Sequence, residues 1–215
     1  MVNTVITVSN DLNNLGLQRL VYSTKKFGWD IVVINTPWRG FGTKLIETYN
    51  YLKANPALES FVFADAHDVV ALSGPGYFNE MLAPFNDKFI VSCEKACWPE
   101  SSLADKYPKS KSEWKYVNSG TYYSPSSLFI KIFESSPPEY HNDDQLWLTN
   151  KFLSQPEDDI QLDTQCYLFQ CYSHIHDDDF SYENNKLYNL KTKTFPIFAH
   201  GNGRTDMTLI DSLLK

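Results

Sequence analysis

Three titratable side chains, Asp65, His67 and Asp68, interrupt an apolar run in the stretch FVFADAHDVV, from Phe61 to Val70. Phe61-Val62-Phe63-Ala64 reads as a strand buried on both faces. Unpaired carboxylates are costly to bury, so this strand must either end at water or feed a cation. Asp65 and Asp68 stand three apart, and hard oxygen ligands at that spacing can hold one divalent ion between them. The same string also fits an Asx-turn closing a strand. Spacing alone leaves both readings open.

A second group is FAHGNGRTD, from Phe198 to Asp206. His200 brings an imidazole to the end of an apolar strand, where a lone histidine is more often just hydrogen-bonded than a ligand. Gly201 and Gly203 flank Asn202, so backbone amides there could approach an anion, with Arg204 adding a cation. Two carboxylates, one imidazole and two phosphate oxygens would suit Mn2+, which makes a diphosphate and its metal the joint target. In HNDDQLW, Asp143 and Asp144 precede a helix, either as N-cap and first-turn acid or as groups that bind sugar hydroxyls. CEKACWPE sets Glu94 and Trp98 just after a strand. An aromatic face beside an acid is a way to hold carbohydrate, although a tryptophan also fills cores. VNSGTYY places Asn118, Ser119 and Gly120 in or beside a strand, where glycine marks a close approach. SHIHDDDF carries His174 and His176 two apart without a third ligand fixed by spacing, and reads as a solvated loop. Nucleophile elbow, P-loop and GxGxxG are all absent, which removes the usual hydrolase, kinase and dehydrogenase readings.

The elements that must position these residues follow from periodicity. Strands are predicted at Val2–Val8, Asp30–Ile34, Ser60–Ala64, Phe89–Ser92, Tyr116–Tyr123 and Phe195–Ala199. Helices are predicted at Leu12–Phe27, Thr43–Leu52, Leu128–Phe133 and Gln145–Phe152. Gly28 falls where a helix-ending glycine belongs. Alternation of strand and helix points to a mostly parallel α/β sheet with helices on both faces, spanning 1–215 as a single domain. Ligands of such sheets sit beyond the carboxyl ends of the strands, which is where the acids after the third strand fall.

Composition agrees. The chain has 215 residues, 42% hydrophobic and 15% aromatic, enough for one packed core and against disorder. A net charge of −7 speaks against a general nucleic-acid binder. No apolar run is long enough to span a bilayer. The opening MVNTVITVSN reads as a strand rather than a signal peptide. Cys93/Cys97 and Cys166/Cys171 lack zinc or redox spacing and read as free thiols, partly in the core.

Taken in order, FADAHDVVALSGP, SCEKACWPE, VNSGTYYSP, NDDQLWLT, LDTQCYLFQ and HGNGRTD resemble the glycosyltransferase domain of the procollagen lysyl hydroxylases, standing here without the hydroxylase portion. The resemblance implies a GT-A fold, a UDP-sugar donor and Mn2+. It implies that Asp65, Asp68 and His200 hold the metal, and that Val8 and Asn10 hold the nucleoside. It further implies that Trp38 and Lys44 belong to the donor side, with Lys44 reaching phosphate. His67 falls where the family carries a tyrosine that stacks on uracil, and Asp206 where relatives often carry lysine, a charge that Arg204 could replace. Glu94, Trp98, Asp143, Asp144 and Asn202 match positions lining the sugar and acceptor side. The implied reaction is retaining transfer of glucose from UDP-glucose to galactosylhydroxylysine of a collagen-like acceptor. A UDP-galactose-dependent hydroxylysine galactosyltransferase, or a transferase with another glycan acceptor, shares these parts. A carbohydrate-binding module would show no UDP affinity, and a UDP-sugar hydrolase would release free sugar regardless of acceptor. Without a signal peptide, the expected location is the cytoplasm of the source or of a virus-infected host cell.

Overall fold

The first strand, β1 (Thr4–Ser9), is buried along its whole length and so is paired on both sides. It lies parallel to β2 (Asp30–Asn35) and to β3 (Ser60–Ala64). The computed structural model describes residues 1–154, 159–183, 186–212 and 214. Helix α1 (Leu15–Lys26) links β1 to β2. Asn14 caps it, its side chain accepting the amides of Gly16 and Leu17 at 2.8 and 3.3 Å. Gly28 leaves the helix at φ +82°, as its position predicts. Helix α2 (Gly42–Ala54) leads from β2 to β3.

After β3 the chain forms β4 (Val69–Ala71), α3 (Pro75–Leu82), β5 (Phe89–Glu94), β6 (Tyr116–Pro125), α4 (Ser126–Ser135) and α5 (Asp144–Ser154). Then come β7 (Ile160–Leu162), β8 (Phe169–Cys171), the hairpin β9 (Phe180–Glu183) and β10 (Lys186–Asn189), β11 (Phe198–His200) and α6 (Thr208–Ser212). The central sheet has the order β2-β1-β3-β6-β5-β7. Only β6 among these runs against its neighbours, so the sheet is mostly parallel, as predicted.

The last strand departs from expectation. It begins at Phe198 rather than Phe195, and it joins a separate sheet of order β4-β11-β8. The reason is the turn at residues 65–68, which takes the chain off the central sheet and presents β4 as a new edge for β11.

Side chains alternate across the central sheet. Phe61 and Phe63 enter one core with Ile6, Leu45, Tyr122 and Phe129, under α2 and α4. Val62 and Ala64 enter the other with Val5, Leu20, Phe78 and Phe198, under α1, α3 and the small sheet. A strand buried on both faces can shed its charges only at its ends, which is why the acids gather beyond Ala64. All four cysteines are free, and Cys93, Cys166 and Cys171 are buried. Among the described residues no helix is long and apolar enough to cross a membrane.

Candidate active site

Asp65 and Asp68 occupy the turn from β3 to β4, and His200 ends β11. The ladder between β11 and β4 sets His200 opposite Val69. His200 Nε2 thereby lies 3.4 Å from Asp68 Oδ1 and 3.9 Å from Asp65 Oδ2. One ligand atom from each of the three residues falls within 4.8 Å of the other two.

The other ring nitrogen of His200, Nδ1, lies 2.9 Å from Asn118 Oδ1. That oxygen also accepts the Gly120 amide at 3.0 Å, while Asn118 Nδ2 faces the oxygens of Glu94 and Gln145, each at 3.3 Å. The amide is therefore oriented by its neighbours and Nδ1 carries hydrogen, leaving Nε2 to take a proton or a metal. Two carboxylates and one oriented imidazole fit a divalent ion such as Mn2+. Gly120 is needed for this arrangement, because a Cβ there would overlap the His200 ring. The close approach expected of that glycine is thus made by a side chain. A register shift in β5 between Val91 and Ser92 lets β6 bring Asn118 and Gly120 to this point.

Electrostatics match the geometry. Burial works against a charged His200, but the Asp68 carboxylate beside it raises its pKa well above 6.5. Burial likewise opposes charge on Asp68, and His200 outweighs it, lowering that carboxyl to about 2. Burial lifts the Asp65 carboxyl above its ordinary range, with Lys44 opposing and the Asp68 charge adding to the rise.

Lys44, in the first turn of α2, is buried. Its Nζ lies 2.8 and 3.1 Å from the two Asp65 oxygens and 2.7 Å from Asp144 Oδ2. Burial disfavours its charge, but Asp144 and Asp65 outweigh that and raise its pKa. Expected only to reach phosphate, this lysine also ties α2, the β3–β4 turn and α5 together. Asp143 caps α5, its Oδ1 accepting the Leu146 amide at 2.7 Å. Asp144 opens the helix, buried against Lys44.

Two clefts meet at this point. One, of about 350 Å³, is lined by Val8, Asn10, Trp38 and His67. The other, of about 440 Å³, takes in Glu94, Trp98, Asn118, Asp143, Asp144 and Asn202. Phe41, Lys44, Asp65 and Asp68 line both, and the last three form a charged common wall. His67 rests its Nε2 3.4 Å from Ser9 Oγ. Trp38 meets Phe41 edge-on at 5.8 Å. Trp98 is 65% exposed, so its ring is a face open to a ligand and not part of the core.

Glu94 lies under the larger cleft. Its Oε1 accepts Gln145 Nε2 at 2.6 Å and its Oε2 accepts Asn202 Nδ2 at 2.9 Å. Burial raises its pKa, against the hydrogen bonds from Gln145 and Asn118. Gln145 is a site residue that the sequence reading missed. Its Nε2 also donates to the Trp98 carbonyl at 2.8 Å and its Oε1 accepts the Ser119 amide at 3.2 Å. In a helical stretch a glutamine reads as surface; only its place beside two acids could have flagged it.

Two expectations need correction. The Gly201 amide donates to the Asp68 carbonyl at 2.8 Å and is not free for an anion. Gly203, at φ +71°, does line the larger cleft. SHIHDDDF is not simply a solvated loop, because Asp179 is fully buried and pairs with Lys95 Nζ at 2.6 Å. The Arg204 side chain lies outside the described residues.

The family described as "PLOD GT domain" matches residues 2–213. The chain is 32% identical to an uncharacterized protein of Acanthamoeba polyphaga mimivirus, over 76% of this chain and 36% of that protein. It is 28% identical to procollagen-lysine,2-oxoglutarate 5-dioxygenase 2 of Mus musculus, over 97% of this chain and 30% of that one. With the multifunctional procollagen lysine hydroxylase and glycosyltransferase of Caenorhabditis elegans the identity is 27%, over 93% and 30%. The chain spans about a third of the length of these relatives. A crystal structure of a glycosyltransferase involved in glycosylation of the major capsid of PBCV-1 matches 98% of this chain and 97% of its own. Its TM-score is 0.57 at 12% identity, a likeness of fold.

Proposed function

Because the chain belongs to the PLOD GT domain family and is a glycosyltransferase, we propose that it moves glucose from UDP-glucose to galactosylhydroxylysine of a collagen-like acceptor, with Mn2+ as cofactor and with retention at the anomeric carbon. The observation that carries this reading is the common wall of Lys44, Asp65 and Asp68 between two clefts. A sugar nucleotide spanning that wall would have its nucleoside in the smaller cleft and its sugar in the larger.

Asp65, Asp68 and the Nε2 of His200 would hold Mn2+, which when bound supplies positive charge for the departing diphosphate. In the smaller cleft, Val8 and Asn10 would seat the nucleoside while His67 and Trp38 offer rings to the base. In the larger cleft, Trp98 offers a face to a sugar ring and the Glu94–Asn202 pair fixes its floor. Lys44 is held by its two carboxylates where diphosphate charge would develop. Asp144 is already paired with Lys44 at 2.7 Å and is a poor covalent nucleophile for that reason. We therefore favour front-face transfer: the acceptor oxygen bonds to the anomeric carbon as the bond to UDP breaks. A phosphate oxygen of the leaving UDP takes the acceptor's proton, and Asp143 and Asp144 orient the hydroxyl.

The test is a donor screen with mass detection on hydroxylysine and galactosylhydroxylysine peptides, with and without Mn2+. The expected result is a hexose added to the galactosylated peptide from UDP-glucose, only with the metal. Addition from UDP-galactose to the plain hydroxylysine peptide would overturn the glucosyl assignment. Release of free sugar alone would overturn transfer to these acceptors.

A further inference from the structure

The loop after β8 brings to the larger cleft a side chain with no part in the arrangement above. His174 lines that cleft. Its backbone is left-handed, at φ +59°, a conformation uncommon outside glycine that the surroundings here support. The support is visible on both sides. Asn202 Oδ1 accepts the amides of Tyr172 and Ser173 at 3.0 and 2.9 Å. Further on, the buried Asp179 accepts the His176 amide at 2.9 Å and pairs with Lys95. Gly203 leaves room for the loop, since a Cβ there would come 3.3 Å from Ser173 Oγ. Finally, Ser173 Oγ lies 2.6 Å from Nδ1 of the exposed His174 ring. Nε2 has no hydrogen-bond partner among the described residues.

The chemistry of the cleft says what such a nitrogen is for. Asp65, Asp68, Asp143 and Asp144 can only accept hydrogen bonds when ionised. Three of the nearby donors are engaged: Lys44 by two carboxylates, Gln145 by Glu94 and the Trp98 carbonyl, and Asn202 by Glu94. A sugar hydroxyl that gives its hydrogen to an acid still needs a donor for its oxygen. Ser173 O–H can donate to Nδ1, and in that tautomer the His174 Nε2–H is such a donor.

We propose that His174 is an acceptor-binding residue, its Nε2–H donating to a hydroxyl of a polyhydroxylated acceptor in the larger cleft, and that it sets acceptor selectivity while the donor side is untouched. This rests on the transfer reaction proposed above. The test compares wild type, His174→Ala and His174→Gln on the full chain. It reads KM for the galactosylhydroxylysine peptide, with UDP affinity in Mn2+ measured by calorimetry. His174→Ala should raise the acceptor KM by about threefold to tenfold, the range for one hydrogen bond. UDP affinity should stay within about twofold, and His174→Gln, which keeps an N–H at a similar reach, should recover part of the loss. An unchanged acceptor KM in His174→Ala, or an equal fall in UDP affinity, overturns the proposal. If wild type glycosylates neither peptide, the reaction proposed above fails, and binding decides the role of His174 separately. Methyl β-galactoside added to the protein with UDP and Mg2+ should then shift the His174 ring-nitrogen resonances. Resonances that stay in place overturn it.

Discussion

At His200 a proton and a metal compete for one nitrogen. With its pKa raised above 6.5 in the folded, metal-free protein, His200 contributes stability that is fully present below pH 6.5 and lost as pH rises through the raised value. Asp68 works in the opposite sense. Its carboxyl falls from 3.8 to about 2, so its contribution is present above pH 3.8 and lost as pH falls towards 2. Mn2+ binding should therefore release a proton, and affinity should rise with pH by up to about tenfold per unit near neutrality. Calorimetry in buffers of different ionisation enthalpy reads this directly; a heat that ignores the buffer would count against it. Asp68→Ala should abolish the tightening of UDP binding by Mn2+ and nearly all transfer. Its thermal midpoint should fall, because the ion pair with the buried His200 is lost, but the cooperative unfolding transition should remain. Retained turnover by that variant in chelator would sink the ligand assignment. Asp144→Asn keeps the shape but weakens the bond to Lys44. Transfer should fall more than about tenfold, within the range for a charged hydrogen bond lost in the transition state, with UDP affinity nearly constant. Asp65, Asp68 and His200 were legible because carboxylates and an imidazole at strand ends are conspicuous. The bridging place of Lys44 was not, because its partners lie far away in sequence on two other elements.

Among the elements, β6 has the most demanding position. It runs against its neighbours, carries Asn118 to the imidazole and leaves no volume at residue 120. Gly120→Ala should displace the His200 ring. We expect loss of Mn2+-enhanced UDP binding together with about 1–3 kcal/mol of stability, the usual range for overpacking. Thermal unfolding and calorimetry on one sample check both; a variant with native metal response would show that the ring has another place to go. The opening β1-α1-β2-α2-β3 was legible because β-branched runs alternate with amphipathic ones and end on clear caps such as Asn14 and Gly28. The direction of β6 was not, since strand periodicity is the same in either sense. Nor was the small sheet, because β4 and β11 are too short to announce a partner. The burial of Asp179 was hidden for a related reason: its lysine stands on the segment after β5, and three acids in a row read as solvent-facing.

For the whole molecule, the wall between the two clefts has a kinetic consequence. A ligand that touches Lys44, Asp65 or Asp68 from one cleft meets residues that also line the other, so the two chambers are expected to fill interdependently. Under the proposed reaction, the sugar of the donor becomes part of the floor on which the acceptor rests. The donor must then bind first and UDP must leave last. Steady-state rates should follow an ordered sequential law. UDP should inhibit competitively against the donor and non-competitively against the acceptor, and the acceptor alone should bind poorly. Parallel lines in a double-reciprocal plot, the mark of a covalent sugar–enzyme relay, would mean that the wall is crossed in two separate trips.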